Sequence, residues 1–330
     1  MRRRVRAVAR ATASDARRWR VALTIDRSLR EFVDAVGATD PVCVEGGHTQ
    51  WTVGGSPAPS VRAIRAPAGI VHYSPAEMTV RLGAGTTIVE LDAELAARGQ
   101  TTVLEGAPDA TVGGVLAVGR SGLRRLRVGP VRDAVLQVRY VSSEGRLITA
   151  GGPTVKNVTG YDLCRLLVGS LGTLGCFGEV ILRTRPRPVA RQWWTAAGDP
   201  FAVTAQLYRP STVLWDGETT WVHLEGHVAD VTAQGAVVAR FGGHPCTGPP
   251  ALPPCRSSVA PSQLAEVVRD GTAGSCIVEI GVGVVHGQRP LPRLTTPAPI
   301  VELHRRLRHE FDPTQRLNPG RDPLRALEVA

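Results

Sequence analysis

Three glycine-rich stretches hold the residues whose types and spacing suit them to chemistry. The first is Val44-Glu45-Gly46-Gly47-His48-Thr49-Gln50-Trp51, directly after a short apolar run. Successive glycines let neighbouring backbone N–H groups turn toward one point, which makes a nest for an anion. Thr49 adds a hydroxyl donor, and a pyrophosphate suits such a loop. The plainer reading is a tight turn. The loop lacks the three-glycine spacing and the following helix of the Rossmann fingerprint, so a Rossmann NAD site is not supported. The second stretch runs from Ala110 to Gly122, with small residues every few positions. It allows close backbone approach to a large flat ligand, or simply a bend where a sheet curves. The third, Gly169 to Gly175, leads into the apolar run Cys176 to Leu182, which contains Glu179.

Short β-branched runs and amphipathic helices must position these loops. Strands are expected at Pro41 to Glu45, Thr79 to Gly83, Leu136 to Ser142 and Val180 to Thr184. Ser28 to Val36 reads as a helix, with Ser28 as N-cap and Glu31 completing a capping box. Thr87 to Arg98 reads as another, capped by Thr86 or Thr87, with Ile88, Leu91 and Leu95 on one face and Gly99 ending it. Tyr161 to Val168 is a third, shorter helix. Arg183 to Pro188 reads as a linker, because two prolines stop regular structure.

Beyond it the pattern is α+β. Strands are expected at Gln192 to Ala196, Val213 to Trp215, Thr220 to Glu225 and Cys276 to Val285. Helices are expected at Pro200 to Tyr208 and Val228 to Phe241, and His244 to Pro254 reads as an exposed loop. Val301 to Phe311 has helical periodicity, and the following Phe-Asp-Pro-Thr-Gln-Arg-Leu-Asn-Pro-Gly-Arg is held as an ordered turn by its prolines and glycine.

The bulk numbers narrow the function. The chain has 330 residues and a formal net charge of +10. Ten Arg against Asp15 and Asp26 fall within the first thirty residues, so eight of those ten charges sit on an N-terminal arm. A basic arm on a nearly neutral body argues against a nucleic-acid surface, and no aromatic-interleaved basic patch appears. No run approaches the ~20 apolar residues of a membrane span. Met1 to Arg20 lacks the apolar core of a secretory signal. The six cysteines include no C-x-x-C pair, which points to free thiols in a cytosolic protein and to no metal or iron–sulfur site. Lys156 is the only lysine.

Taken in order, the motifs resemble the FAD-binding PCMH-type domain of the vanillyl-alcohol-oxidase superfamily, most of all the FAD-binding small subunit of bacterial glycolate oxidases. The matching pieces are Gly83-Ala84-Gly85-Thr86, Ala110 to Gly122, Gly129-Pro130-Val131-Arg132-Asp133, Lys156-Asn157-Val158-Thr159-Gly160-Tyr161-Asp162-Leu163, and Gly169 to Gly175. Phe311-Asp312-Pro313 and Leu317-Asn318-Pro319-Gly320-Arg321 complete them.

The resemblance implies an α+β fold: a PCMH-type FAD-binding domain of two α/β lobes, then a short α+β cap domain. Its expected boundaries are 1–20 for a disordered basic arm, 21–188 for the FAD domain, 189–299 for the cap, and 300–330 for a helix and an Asn-Pro-Gly segment returning to the flavin. Gly46, Gly47, His48, Thr49 and Gln50 are then the pyrophosphate loop. Thr111, Val112, Gly113, Gly114, Gly119, Arg120, Ser121 and Gly122 line the flavin and ribityl chain. Gly172, Thr173, Gly175 and Val180 lie near the nucleotide half, and Asn318 returns to the flavin.

Two positions depart from the family pattern. Glu45 stands where Arg is common and is expected to point away from the phosphates. His48 raises the alternative of covalent FAD, against a role as a hydrogen-bond donor. For catalysis, a 2-hydroxy-acid dehydrogenase needs a base and a carboxylate-binding cation. The candidates are His286, Arg256 and Lys156; His223 and His227 straddle Gly226 and read as solvent-facing rather than metal-ligating.

The resemblance implies a subunit of a glycolate-oxidase-like complex acting on a small 2-hydroxy acid. Its partners would be a catalytic flavin subunit and an iron–sulfur subunit, and its place cytoplasmic or peripheral at the inner membrane face. The alternatives are an autonomous FAD-dependent oxidoreductase and a non-catalytic FAD-binding scaffold.

Overall fold

A computed structural model describes residues 26–153, 162–270, 274–291 and 296–326. The N-terminal arm and the Lys156 motif up to Tyr161 lie outside the described residues. Helix α1 spans residues 26–36 and strand β1 is Val42–Val44. Next come β2 (Arg62–Ile64), β3 (Ile70–Ser74), β4 (Thr79–Gly83), α2 (Ile88–Ala96), β5 (Gln100–Thr101), α3 (Val112–Val118) and α4 (Arg125–Val128). After β6 (Val135–Val141) and β7 (Leu147–Gly151) come α5 (Leu163–Leu167), β8 (Cys176–Arg183) and β9 (Arg185–Pro186).

These elements form two lobes. In the first, β1 and β2 pair in parallel, and Leu29, Phe32 and Val36 of α1 pack on Val42 and Ile64. In the second, an antiparallel sheet has the order β3-β4-β8-β6-β7. Strand β8 is buried along nearly its whole length because it is central and covered on both faces. Its Glu179, 1% exposed, survives there because Arg81 Nε lies 2.8 Å from Oε1 and Arg139 Nη1 lies 3.5 Å away.

The α2 expectation holds in detail. Thr87 is the N-cap in a reciprocal capping box with Glu90, and Ile88, Leu91 and Leu95 are buried. At α1 the expectation fails, because residue 26 is already helical and Ser28 sits inside the helix rather than capping it. Arg183 to Pro188 is no free linker. β8 runs to Arg183, β9 pairs antiparallel with β5, and Arg187 N donates to Gly99 O. Pro186 is tolerated because this ladder has only two strands.

The rest of the chain builds a seven-stranded sheet. Its elements in chain order are β10 (Ala190–Ala197), α6 (Pro200–Ala205), β11 (Thr212–Trp215), β12 (Thr219–Gly226), α7 (Val228–Ala239), β13 (His244–Cys246), β14 (Cys255–Ser258), α8 (Leu264–Asp270), β15 (Cys276–Glu279) and β16 (Val284–Gly287). The sheet order is β13-β10-β12-β11-β15-β16-β14. The single strand expected over Cys276 to Val285 is a hairpin, turned by Gly281 and Gly283 at positive φ. The start of the expected loop at His244 is an edge strand, and the other edge, β14, was not anticipated.

Alternation gives this sheet two chemically distinct faces. Ala196, Val213, Val222, Leu224, Val278 and Val285 pack with Val231 and Val238 of α7 and Leu264 of α8. The opposite face, toward α4, carries His223, Glu225, Glu279 and His286. Thr212 Oγ1 donates to Leu123 O at 2.9 Å there, and Arg127 Nε lies 3.9 Å from Glu225 Oε1. Helix α9 (Ala298–Phe311) follows, and the chain then returns to the first lobe: Leu317 bridges Val42 in parallel, and Asn318 N donates to Val42 O.

Candidate cofactor site

Between the two lobes lies a cleft made of two abutting cavities, one larger than the other. Both are lined by Val44, Gly46, Thr111, Gly114, Leu171 and Asn318. The three glycine stretches and the C-terminal turn, remote in sequence, therefore meet at one place.

The loop from Gly46 to Gln50 forms one wall of the larger cavity. Among the described residues, no protein acceptor takes the backbone N–H of Gly46, Gly47, His48, Thr49 or Gln50. Five successive amides without a protein partner, beside a cavity, are what a multiply charged anion requires. The loop's geometry differs from the sequence reading. The positive φ falls on His48 (57°), not on Gly46 or Gly47. The glycines serve close approach instead: a Cβ on Gly47 would stand 2.0 Å from Asp109 O, and one on Gly46 would stand 2.4 Å from Thr111 Oγ1. The first two glycine stretches interlock because these positions lack side chains.

The second stretch is a helix where a loop was expected. Thr111 caps α3, accepting from Gly114 N, and Gly119 ends it in the left-handed conformation. Val112 is buried in the core, while Thr111 and Gly114 line both cavities. Gly113 lines the smaller cavity and packs on Ala84, donating to its carbonyl at 2.7 Å. Gly119, Arg120, Ser121 and Gly122 are not on the walls of either cavity. Ser121 Oγ accepts from Val131 N, and Gly122 packs on Glu105.

In the third stretch, Gly172 lines the smaller cavity. Thr173 is buried and donates to Ser170 O, Gly175 packs against the Tyr140 ring, and Val180 lies in the core of the five-stranded sheet. The last three therefore shape the loop from behind rather than lining the cleft. Val180 fails as a contact residue because alternation along a central strand turns it into the core.

Asn318 faces both cavities, and each end of its amide holds a loop. Oδ1 accepts from Val44 N at 3.0 Å and Nδ2 donates to Gly172 O at 2.9 Å. It clamps the first loop to the third. Glu45 was expected to point away; it lines the smaller cavity, 3.5 Å from His48 Nε2. The His48 ring stacks on Trp51 with centroids 4.0 Å apart, and the Arg321 guanidinium lies 4.3 Å from the Trp51 centroid. Arg321 also donates to the carbonyls of Trp51, Val53 and Gly55.

Trp51, Leu171 and Arg321 line the cleft but were not singled out as site residues from the sequence. The Leu-Asn-Pro-Gly-Arg ending contains Arg321, and the stack on Trp51 was its missing signal. Cys43, Val53, Val115, Ala117, Val118 and Leu171 make the larger cavity's remaining wall chiefly apolar. A site with one donor-rich wall and one apolar wall fits a ligand that joins a pyrophosphate to a flat ring, as FAD does.

Of the catalytic candidates, Lys156 lies outside the described residues. His286 and Arg256 lie on the polar face of the seven-stranded sheet. His223, expected in solvent, is buried there against Trp193 at 4.7 Å. Burial above all, with Arg124, Arg191 and Arg127 adding and Glu225 opposing, pushes its pKa down to about 4.

Residues 26–151 match the family described as FAD binding domain. Glycolate oxidase subunit GlcE of Escherichia coli (strain K12) is 36% identical over 165 residues, covering 49% of this chain and 47% of that protein. D-lactate dehydrogenase of Archaeoglobus fulgidus is 42% identical over 106 residues, covering 32% of this chain and 24% of that enzyme. The chain thus spans less than half the length of these relatives. A solved alkyldihydroxyacetonephosphate synthase superposes with a TM-score of 0.66 at 15% identity, covering 89% of this chain and 74% of that one, which establishes the shared fold.

Proposed function

We propose that this chain, which carries an FAD-binding domain of the PCMH type, is the FAD-binding subunit of a glycolate-oxidase-like complex that oxidises a small 2-hydroxy acid. The observation that carries this reading is the row of five amides, Gly46 to Gln50, beside a cleft with an apolar far wall. Those amides and the Thr49 hydroxyl would hold the FAD pyrophosphate. Val115, Val118 and Leu171 would exclude water along the ligand, and Asn318 and Arg321 would keep the loops closed on it. Attachment is non-covalent in this reading, because His48 is engaged with Trp51 and Glu45. Bound FAD would supply two-electron acceptance from a carbon–hydrogen bond.

The subunit character is supported by a relative that is itself described as a subunit of glycolate oxidase. The six cysteines are free thiols with no C-x-x-C spacing, so the reading assigns electron exit to an iron–sulfur partner alongside a catalytic flavin subunit. The test is purification with co-expressed partners, flavin extraction, and anaerobic addition of glycolate or D-lactate. FAD recovered from this chain, with acceptor reduction by the assembled complex, is the expected result. A chain that binds no flavin after reconstitution overturns the proposal.

A further inference from the structure

Where α4 meets the seven-stranded sheet, the surface carries exposed apolar side chains among arginines. Arg127 of α4 is the centre of this patch. Its Nη1 donates to Arg209 O at 2.7 Å, and Arg209 Nη2 donates back to Arg127 O at 3.4 Å. Arg127 Nε lies 3.9 Å from Glu225 Oε1, and its Nη2 stands 3.2 Å from where a Cβ on Gly226 would lie. One guanidinium therefore joins the segment before β11 to the end of β12. Arg209 has a φ of 49°, a left-handed conformation that strains any residue with a Cβ. The residue before it, Tyr208, is 74% exposed. At the strand end Ala190 pairs with Gly226, so Val189 and Val228 lie at the same end of the β10–β12 ladder, 79% and 53% exposed. Tyr208 and the two valines thus flank Arg127 on either side.

Further arginines surround this apolar centre. Arg191 stands directly opposite Glu225 in the β10–β12 ladder, and Arg185 Nη2 donates to Val128 O at the end of α4. Burial, then the charge of Arg124, lowers the Arg185 pKa; Glu225 opposes, and Arg183 and Arg209 add to the lowering. Two carboxylates of the group are turned inward: Glu105 pairs with Arg124, and Glu225 is buried beside Arg127. At the rim stand Asp92, within reach of Arg187, and Asp230, in the first turn of α7. Arg187, Arg191 and Arg209 are exposed.

Tyrosine and arginine about an apolar centre are the composition of a protein-binding hot spot. The charge selects the occupant. The chain's own N-terminal arm is itself basic, so like charge keeps it away. A second copy in a twofold contact would set the same arginines against themselves. A protein surface bearing carboxylates meets neither obstacle. We propose that this patch seats a protein subunit of the complex, through a partner surface that is apolar at its centre and acidic around it. The proposal rests on the reading of this chain as a subunit. Tyr208, Val189 and Val228 make the apolar contact, and Arg191 and Arg209 take the carboxylates. The reciprocal bonds between Arg127 and Arg209 fix that array before docking, which reduces the ordering cost of binding.

The experiment uses the full chain co-expressed with the flavin and iron–sulfur subunits, and reads the dissociation constant of the purified assembly by light scattering on dilution. Tyr208→Ala weakens assembly about 30-fold or more, and Arg209→Glu about 100-fold or more. Raising salt from about 50 to about 300 mM weakens the parent assembly about tenfold and the Arg209→Glu assembly less. Leu303→Asp, on the exposed first half of α9, is the control and leaves assembly within about threefold. These side chains are exposed, so the urea midpoint and FAD retention of each isolated variant match the parent chain. A parent chain that assembles with neither subunit overturns the subunit reading and this proposal with it. A parent that assembles, with Tyr208→Ala and Arg209→Glu assembling equally well, overturns this proposal alone. So does a larger loss in Leu303→Asp than in Tyr208→Ala, or a dimer of the isolated parent chain that Tyr208→Ala abolishes. Tyr208-dependent binding of the isolated chain to phosphatidylcholine vesicles with about 30% phosphatidylserine would make the patch a membrane site and overturn it too.

Discussion

Gly47→Ala isolates the interlocking of the first two glycine stretches. The added Cβ would stand 2.0 Å from Asp109 O and 2.7 Å from Asp109 C. An ordinary carbon–oxygen contact is about 3.3 Å, so one loop must retreat by roughly 1.3 Å. The 107–111 segment is held in place: Ala110 N donates to Ala107 O, Ile88 N to Ala110 O and Val89 N to Pro108 O. The retreat therefore falls on the 46–50 loop and its five amides. A hydrogen bond lengthened by more than 1 Å is no longer one. Losing two bonds to a charged group, at about 1.5–3 kcal/mol each, raises the FAD dissociation constant at least about 100-fold. Overpacking also lowers the stability of the chain by about 1–3 kcal/mol. Gly113→Ala is milder, since its Cβ would meet Ala84 Cβ at 2.9 Å, and Gly248→Ala is the control, with nothing within 4 Å. The assay is flavin retained per folded chain, with affinity from quenching of FAD fluorescence. Gly47→Ala binding FAD within threefold of Gly248→Ala would refute the reasoning.

Asn318→Ala strands the Val44 N–H and the Gly172 carbonyl, which should cost about 2–4 kcal/mol and lower the urea midpoint and FAD retention together. Burial raises the Cys164 thiol to about 11 and the Cys176 thiol to about 12, so at pH 8 a thiol reagent should label the half-exposed Cys246 and Cys255 first. Rapid labelling of Cys176 in the folded chain would contradict that burial. His223 stays neutral in the fold down to about pH 4, whereas its unfolded value is 6.5. Between those values the unfolded chain binds the extra proton, so stability falls as pH falls through that window, and His223→Gln should flatten the dependence in urea titrations at pH 7 and pH 5.

What the sequence determined by itself was local. Thr87 and Glu90 are three apart, and Ile88, Leu91 and Leu95 fall on one helical face, so α2 could be read with its cap and its buried side. The glycine stretches and the Asn-Pro-Gly turn were visible as backbone irregularities, and their order along the chain carried the family resemblance. Their use was decided only in three dimensions. Gly47 faces Asp109 and Asn318 joins Val44 to Gly172 because the chain returns, after the seven-stranded sheet, to the edge of its first strand. Val180, counted with the site on the strength of its neighbours, points into the core because β8 is central. Arg256 and His286 were singled out by their chemistry alone, and it is a hairpin turn and two strand registers that place them on one face with Glu279. Periodicity and capping act between residues a few positions apart, whereas strand pairing is chosen by the packing of whole faces, and only the folded chain contains that choice.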